Sequence, residues 1–209
     1  MKAYYSDDYC TIYNADCLDV LHDIDKCDLL LTDPPYGIGR DGQKRTTSSH
    51  GGRKAYDFKG WDSERPPEHT LIVCLERAEH HCVWGANYFP SIFQPSMGWI
   101  VWDKGQRICQ SDGELAYTNQ NKALRIINMN RVEIMKDGAQ HPTQKPLKLM
   151  MHCILRFDGI GTILDPFMGS GTTLRAAKDL RLKAVGIEIE EEYCEIAARR
   201  LSQEVFTGY

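Results

Sequence analysis

The chain has 209 residues, enough to bury one substantial core, and a single domain spanning 1–209 is the expectation. With 42% hydrophobic, 26% charged and 10% aromatic residues it has the composition of an ordinary globular protein. No apolar run approaches the roughly 20 residues a bilayer crossing needs, and Met1–Asp8 lacks the apolar stretch of a signal peptide, so no membrane partner and a cytoplasmic location are expected. A net charge of −4 argues against wholesale coating of a polyanion but leaves room for a local basic patch.

The eight cysteines are scattered singly, with no Cys-x-x-Cys. Several, such as Cys74 and Cys153, lie in apolar stretches and read as small core hydrophobes in a reducing compartment. His80-His81-Cys82 invites a metal reading, but adjacent side chains point in different directions and no second ligand cluster accompanies them, so no metal is expected.

In chain order, Cys10-Thr11-Ile12-Tyr13-Asn14-Ala15-Asp16 is strand-like and ends at an acid, and Cys17–Leu21 begins a short helical turn. Asp16 can accept a hydrogen bond from a ligand at the strand's end, or simply cap the helix. Leu29-Leu30-Leu31-Thr32-Asp33-Pro34-Pro35-Tyr36-Gly37 is the stretch around which the rest is organised. Aliphatic residues on both parities predict a strand buried on both faces, as in a parallel sheet. The prolines stop it at Asp33 and leave a stiff turn with Asp33 and Tyr36 at the carboxyl edge, where open α/β sheets bind ligands. A short acceptor beside a flat ring suits a planar amine, accepting hydrogen bonds from its NH2 while stacking under its ring.

Residues 40–60 read as a long loop, mobile without substrate, carrying Arg40, Lys44, Arg45, Arg53, Lys54 and Lys59 against Asp41 and Asp57. In an acidic chain this local excess is the best footprint for phosphates, although many plain loops are basic too. Pro66-Pro67-Glu68 opens a helix with Leu71, Cys74, Leu75 and Ala78 on one face. Cys82–Asn87 is the next strand. Gly98–Lys104 and Glu114–Asn119 look like paired antiparallel strands, and Leu124–Ile134 continues the β-rich part. Gln140-His141-Pro142-Thr143-Gln144-Lys145-Pro146 is a loop leading into a helix with Leu147, Met150, Met151, Ile154 and Leu155 on its apolar face; Lys145 is a natural partner for a carboxylate.

Gly161–Thr173 is strand, acid (Asp165), Gly-rich turn (Gly169-Ser170-Gly171) and helix start. The glycines let backbone approach a ligand closely, and the helix start offers unpaired N–H groups. Leu174, Ala177 and Leu180 mark the packed face of that helix. Ala184–Glu188 is a second buried strand ending at an acid. The last helix places Glu190, Glu191 and Glu192 in its first turn, Arg199 and Arg200 in its last, and Tyr193, Ile196, Ala197 and Leu201 in its buried stripe. The turn lacks the Lys of a P-loop, and Leu174 stands where the third Gly of a nicotinamide fingerprint would be.

Two motifs together carry a resemblance. Asp33-Pro34-Pro35-Tyr36 resembles the catalytic tetrapeptide of S-adenosylmethionine-dependent amino-methyltransferases acting on nucleobases, in the form similar to N6-adenine DNA methyltransferases. Asp165-Pro166-Phe167-Met168-Gly169-Ser170-Gly171-Thr172 resembles their S-adenosylmethionine motif. His141–Pro146 is similar to the segment lying over the methionine end of the cofactor, and Asn87-Tyr88-Phe89 to one walling the target pocket. The tetrapeptide precedes the cofactor motif, which resembles the permuted order of the family's β class.

The resemblance implies a doubly wound, mostly parallel, seven-stranded Rossmann-like α/β sheet with an antiparallel edge hairpin and circularly permuted motif order. It implies S-adenosylmethionine as cofactor, held by Asp16, Cys17, Asp33, Lys145, Asp165, Phe167, Gly169, Ser170, Gly171, Thr172, Glu188 and Ile189, with Glu188 on the ribose hydroxyls. Asp33, Pro34, Pro35 and Tyr36 are the expected catalytic set, with Asp33 and the Pro34 carbonyl accepting from the amine of an adenine flipped out of double-stranded DNA and stacked on Tyr36. Arg40, Lys44, Arg45, Arg53 and Lys54 are the expected nucleic-acid contacts. A restriction-modification setting and a homodimer are compatible with this reading. One departure is the short stretch 119–140, where β-class enzymes often insert a target-recognition region, so specificity is expected to be relaxed, moved to the 40–60 loop, or supplied by a partner. N4-cytosine methylation, an RNA substrate and an inactive cofactor- or DNA-binding module are the alternatives.

Overall fold

The computed structural model describes residues 1–39, 63–105, 111–130 and 144–203. Arg40, Lys44, Arg45, Arg53 and Lys54, and residues 131–143, lie outside them.

Among the described residues nine strands form one sheet: β1 (Tyr5–Ser6), β2 (Cys10–Asn14), β3 (Cys27–Thr32), β4 (Ala78–Trp84), β5 (Ile100–Asp103), β6 (Gly113–Thr118), β7 (Arg125–Asn128), β8 (Thr162–Asp165) and β9 (Lys183–Glu188), in the order β1-β2-β9-β8-β3-β4-β6-β5-β7. All run in one direction except β1 and β6. The helices are α1 (Cys17–Leu21), α2 (Glu68–Glu76), α3 (Leu147–Leu155), α4 (Thr172–Asp179) and α5 (Glu191–Ser202), with a short 3-10 turn at Ala86–Tyr88.

The all-aliphatic run in β3 divides its side chains between the two faces. Leu29 and Leu31 pack with α3, α4 and α5 residues such as Leu149, Leu174 and Ala197, whereas Leu30 packs with Val20 and Leu21 of α1 and Cys74 of α2. The register Leu29↔Ile163 and Leu30↔Leu164 repeats this division in β8. Such two-sided burial is what parallel central strands require, and the sheet is wound on both faces. β2, from the beginning of the chain, pairs in parallel with β9 near its end, so both ends build the same edge.

Four expectations are corrected. Among the described residues the sheet has nine strands rather than seven. β2-β9-β8-β3-β4-β6-β5 is the expected set, and two short strands extend it. β1 folds back on β2 because the Asp7 carboxylate accepts the Tyr9 and Cys10 N–H groups at 2.9 and 2.7 Å. β7, within the Leu124–Ile134 stretch expected to be β-rich, adds outside β5, so the β5–β6 antiparallel pair is internal rather than at the edge. Ala78 belongs to β4 and not to the preceding helix, because the Arg77 carbonyl after α2 receives the Cys27 N–H at 2.9 Å and the chain turns into the sheet. In α3 the buried face is Leu149, Met150, Cys153 and Ile154, while Leu155 is exposed; packing on α4 selects a face rotated from the one the pattern suggested.

Candidate active site

Thr32 ends β3 buried and donates its hydroxyl to Asp165 Oδ1 at the end of β8, at 2.7 Å. This bond joins the two strands whose following turns form the site. Those turns open onto one cavity of about 740 Å³ at the carboxyl edge of the parallel strands. Asp16, Cys17, Asp33, Pro34, Pro35, Tyr36, Lys145, Asp165, Phe167, Gly169, Ser170, Thr172, Glu188 and Ile189 all line it. Gly171 is absent from that lining. It is the left-handed residue before α4, with φ 76°, and a Cβ on it would stand 2.8 Å from the Ala197 Cβ. Its smallness serves the packing of α5 rather than close approach to a ligand.

At one end, Glu188 leaves β9 and accepts the Gly169 N–H at 2.9 Å and the Glu190 N–H at 2.9 Å. Burial, helped by the nearby Glu190 and Asp165 carboxylates, pushes its carboxyl up to about 7, against the pull of those N–H groups. Burial likewise raises Asp165 to about 6, although it accepts from Thr32 and from the Phe167 N–H at 3.2 Å. Asp16 caps α1 by accepting the Leu18 N–H at 2.9 Å, which is the plainer of its two readings, while still facing the cavity. The Gly-rich turn is clamped from behind: Arg200 donates to the Ser170 carbonyl at 2.7 Å and to the Ser170 and Thr172 hydroxyls at 3.2 Å. Ser170 in turn donates to Gln144 Oε1 at 3.2 Å, tying the turn to the segment before α3.

At the other end, the Asp33 carboxylate accepts from the Tyr36 hydroxyl and from Lys145. The Lys145 ammonium is also 3.0 Å from Glu114 on β6, and Glu114 is 2.6 Å from Lys104 just beyond β5. Lys145 thus serves two carboxylates of the protein itself instead of standing open for a cofactor carboxylate, because β6 brings Glu114 within its reach. Burial raises the Asp33 carboxyl and outweighs the pull of Lys145. Burial also opposes Glu114 ionisation, but Lys145 and Lys104 overcome it and hold that group at about 2. For Lys145, burial is outweighed by Asp33 and Glu114, and the ammonium is retained to higher pH. The Tyr36 ring stacks on Tyr88, centroids 4.8 Å apart and planes 16° apart.

Sequence reasoning missed Glu114, Lys104 and the role of Arg200, which had been read as a helix-dipole charge. The available signal was a charge inside or directly after a strand that carries buried aromatic or apolar residues, as with Glu114 near Ala116 and Tyr117, and Lys104 after Trp102. His81, weighed earlier as a metal ligand, places Nε2 at 3.0 Å from the Leu75 carbonyl and 3.2 Å from that of Ala78. No group of three or more metal-ligating side chains occurs among the described residues.

A doubly wound sheet with a carboxylate-aromatic turn and a Gly-rich turn facing one cavity is the arrangement that the resemblance to nucleobase methyltransferases implies. The model of the N6/N4 methyltransferase family, described as DNA methylase, matches residues 83–199, more than half of the sequence, and the chain belongs to that family. It is thereby an S-adenosylmethionine-dependent DNA methyltransferase. M.HpaI, a type II methyltransferase of Haemophilus parainfluenzae, is 28% identical over 87% of this chain and 70% of its own length. The DNA adenine methyltransferase YhdJ of Escherichia coli is 40% identical over a shorter segment, 41% of this chain and 30% of its own length. The fold matches that of M1.HpyAVI solved with S-adenosylmethionine, with a TM-score of 0.61 and 23% identity over 93% of this chain and all of that one. Among the described residues no helix is long and apolar enough to cross a membrane.

Proposed function

We propose that the chain methylates the exocyclic N6 amine of adenine in double-stranded DNA. The observation that carries this reading is that Asp33, at the end of β3, shares one cavity with the Gly-rich turn and Glu188. The donor set fits S-adenosylmethionine. Glu188 is a half-buried carboxylate held by backbone N–H groups, with acceptor capacity left for two ribose hydroxyls, and Phe167 and Ile189 offer apolar walls. When bound, the cofactor supplies an electrophilic methyl carbon on a sulfonium.

The protein's own residues do the rest. Asp33 and the Pro34 carbonyl accept hydrogen bonds from the amine, fix its plane and aim its lone pair, so that much of the acceleration comes from positioning. A half-buried carboxylate with a raised proton affinity also gives the departing amine proton a place to go. Tyr36 supplies the stacking face; because Tyr88 now lies against it, the incoming base displaces that second ring. Arg40, Lys44, Arg45, Arg53 and Lys54 serve as phosphate contacts, a reading supported by their charge in sequence alone. The Asp form of the tetrapeptide favours adenine over cytosine.

The test is mass spectrometry of nucleosides from duplex DNA, single-stranded DNA and RNA incubated with the protein and labelled cofactor. N6-methyladenine in the duplex is the expected product. N4-methylcytosine, or label confined to RNA, overturns the assignment of the target.

A further inference from the structure

Lys104, Glu114, Lys145 and Asp33 form a row of alternating charge along one wall of the cavity. Lys104 Nζ lies 2.6 Å from Glu114 Oε1, Glu114 Oε2 lies 3.0 Å from Lys145 Nζ, and Lys145 contacts Asp33 Oδ2. The two lysine side chains are only 7% and 4% exposed. Ammonium groups so deeply placed are costly unless fully paired, and here each meets a carboxylate and an aromatic face. Lys104 lies 5.1 Å from the Trp102 ring centroid, and Lys145 lies 5.5 Å from that of Trp84 and 5.7 Å from that of Tyr36. Two cations and two anions leave the row neutral, yet Glu114 is shared by both lysines while Asp33 has a part of one.

We propose that Glu114, locked by Lys104, is a positioning residue for methyl transfer: it divides the charge of Lys145 and thereby sets, from β6, how readily Asp33 acts as an anionic acceptor for the amine. The proposal rests on the reading of Asp33 given above. The titratable and charged groups around the row include Tyr36 on Asp33, Tyr88 against Tyr36, Arg65 on the Tyr88 carbonyl, Asp165 from β8 toward Asp33, Glu188 from β9 toward Asp165, and Asp103 and Asp112 beside Lys104 in the chain and across the turn.

The arrangement fixes the signs. Without the Glu114 charge, Lys145 attracts Asp33 undivided, so Asp33 stays ionised to lower pH and Lys145 loses its proton at lower pH. Without the Lys104 charge, Glu114 is uncompensated, and Asp33 holds its proton to higher pH. A residue that merely supported the fold would lower activity evenly across pH.

The experiment follows single-turnover transfer of labelled methyl to duplex DNA from pH 5 to 9 for the unaltered protein, Glu114→Gln, Lys104→Met, Glu114→Asp and the double variant Glu114→Gln/Lys104→Met. Thermal unfolding and cofactor binding by calorimetry are measured alongside. The acidic limb of Glu114→Gln is expected to move down by roughly 1 pH unit and that of Lys104→Met to move up, with Glu114→Asp close to the unaltered protein. The double variant, which removes both charges, keeps the test open if Lys104→Met does not fold, and its limb should return toward the starting position. A uniform loss in Glu114→Gln with no movement of either limb overturns the proposal. Absence of transfer by the unaltered protein at every pH would instead overturn the reading of the site, and this proposal with it.

Discussion

The Tyr36 ring occupies the space that any side chain at position 85 would need: a Cβ built on Gly85 falls 1.9 Å from Tyr36 Cε1 and 2.3 Å from Cζ. Gly85 also has φ 66°, in the left-handed region, where it ends β4 and starts the turn that carries Tyr88. One glycine therefore lets the proposed stacking ring lie flat against backbone and sets where its neighbouring tyrosine begins.

Gly85→Ala forces the Tyr36 ring away by more than an ångström. Displacement of that size at a reacting centre costs about 100-fold in rate, so methyl transfer should fall by at least that much while cofactor binding, at the opposite end of the cavity, changes little. Label transfer and calorimetry on the same preparation check this, with Gly85→Ser as a second variant expected to behave alike.

Asp33→Asn keeps the shape of the side chain but replaces an acceptor oxygen with an NH2 aimed at the amine. Transfer should drop by roughly 1,000-fold, as when a preorganised polar group is removed from a transition state, with cofactor affinity largely kept. Tyr36→Ala should be similarly inactive. Near-normal turnover by Asp33→Asn would remove Asp33 from the chemistry.

Glu188 makes the protein's stability depend on pH in a defined direction. Its folded pKa, about 7, lies above the ordinary 4.5, so between those values the folded protein binds more protons than the unfolded one, and stability falls as pH rises. Partial exposure reduces the effect to on the order of 2 kcal/mol. Asp165 adds in the same sense between its ordinary 3.8 and about 6. Melting curves of the cofactor-free protein should show Tm declining from pH 5 to 8, with a flatter decline in Glu188→Gln. Because hydroxyl donors favour the ionised carboxylate, cofactor affinity should strengthen over the same range, by up to about tenfold.

Arg200 reaches from α5 to the carbonyl and hydroxyl of Ser170 and to the Thr172 hydroxyl. Arg200→Ala releases the Gly-rich turn from behind without touching Asp33. The expected result is cofactor binding weaker by roughly tenfold, the loss of about 1.4 kcal/mol, with turnover at saturating cofactor nearly unchanged. Titration calorimetry and saturation kinetics distinguish this from general unfolding.

The central strands were legible because their chemistry is local. Two prolines fix the end of β3, and acids at the ends of β8 and β9 stand directly before their turns. β1 was not, because it depends on the Asp7 carboxylate folding Tyr9 and Cys10 back, which leaves no periodic trace. β7 falls in the Leu124–Ile134 stretch read as β-rich, but its place outside β5 depends on a parallel pairing that the local pattern does not carry. The end of α2 was misplaced for a related reason, since Cys27, from β3, claims the carbonyl of Arg77. Within the site, residues on turns were found and those reaching in from behind were missed. Glu114 acquires a role only when β6 sets it against Lys145, and Gly171 resembled a ligand-facing glycine until α5 was seen to occupy the space beside it.

The parallel pairing of β2 with β9 carries a consequence for how the molecule is made. Cys10–Asn14 leave the ribosome well before the strand they join, Lys183–Glu188. Until then that edge has no neighbour to close against, and loop closure over so long a segment is slow. Nascent chains stalled before residue 183 should consequently expose the apolar flank of β8 and depend on chaperones, whereas β3 and β4 can already associate.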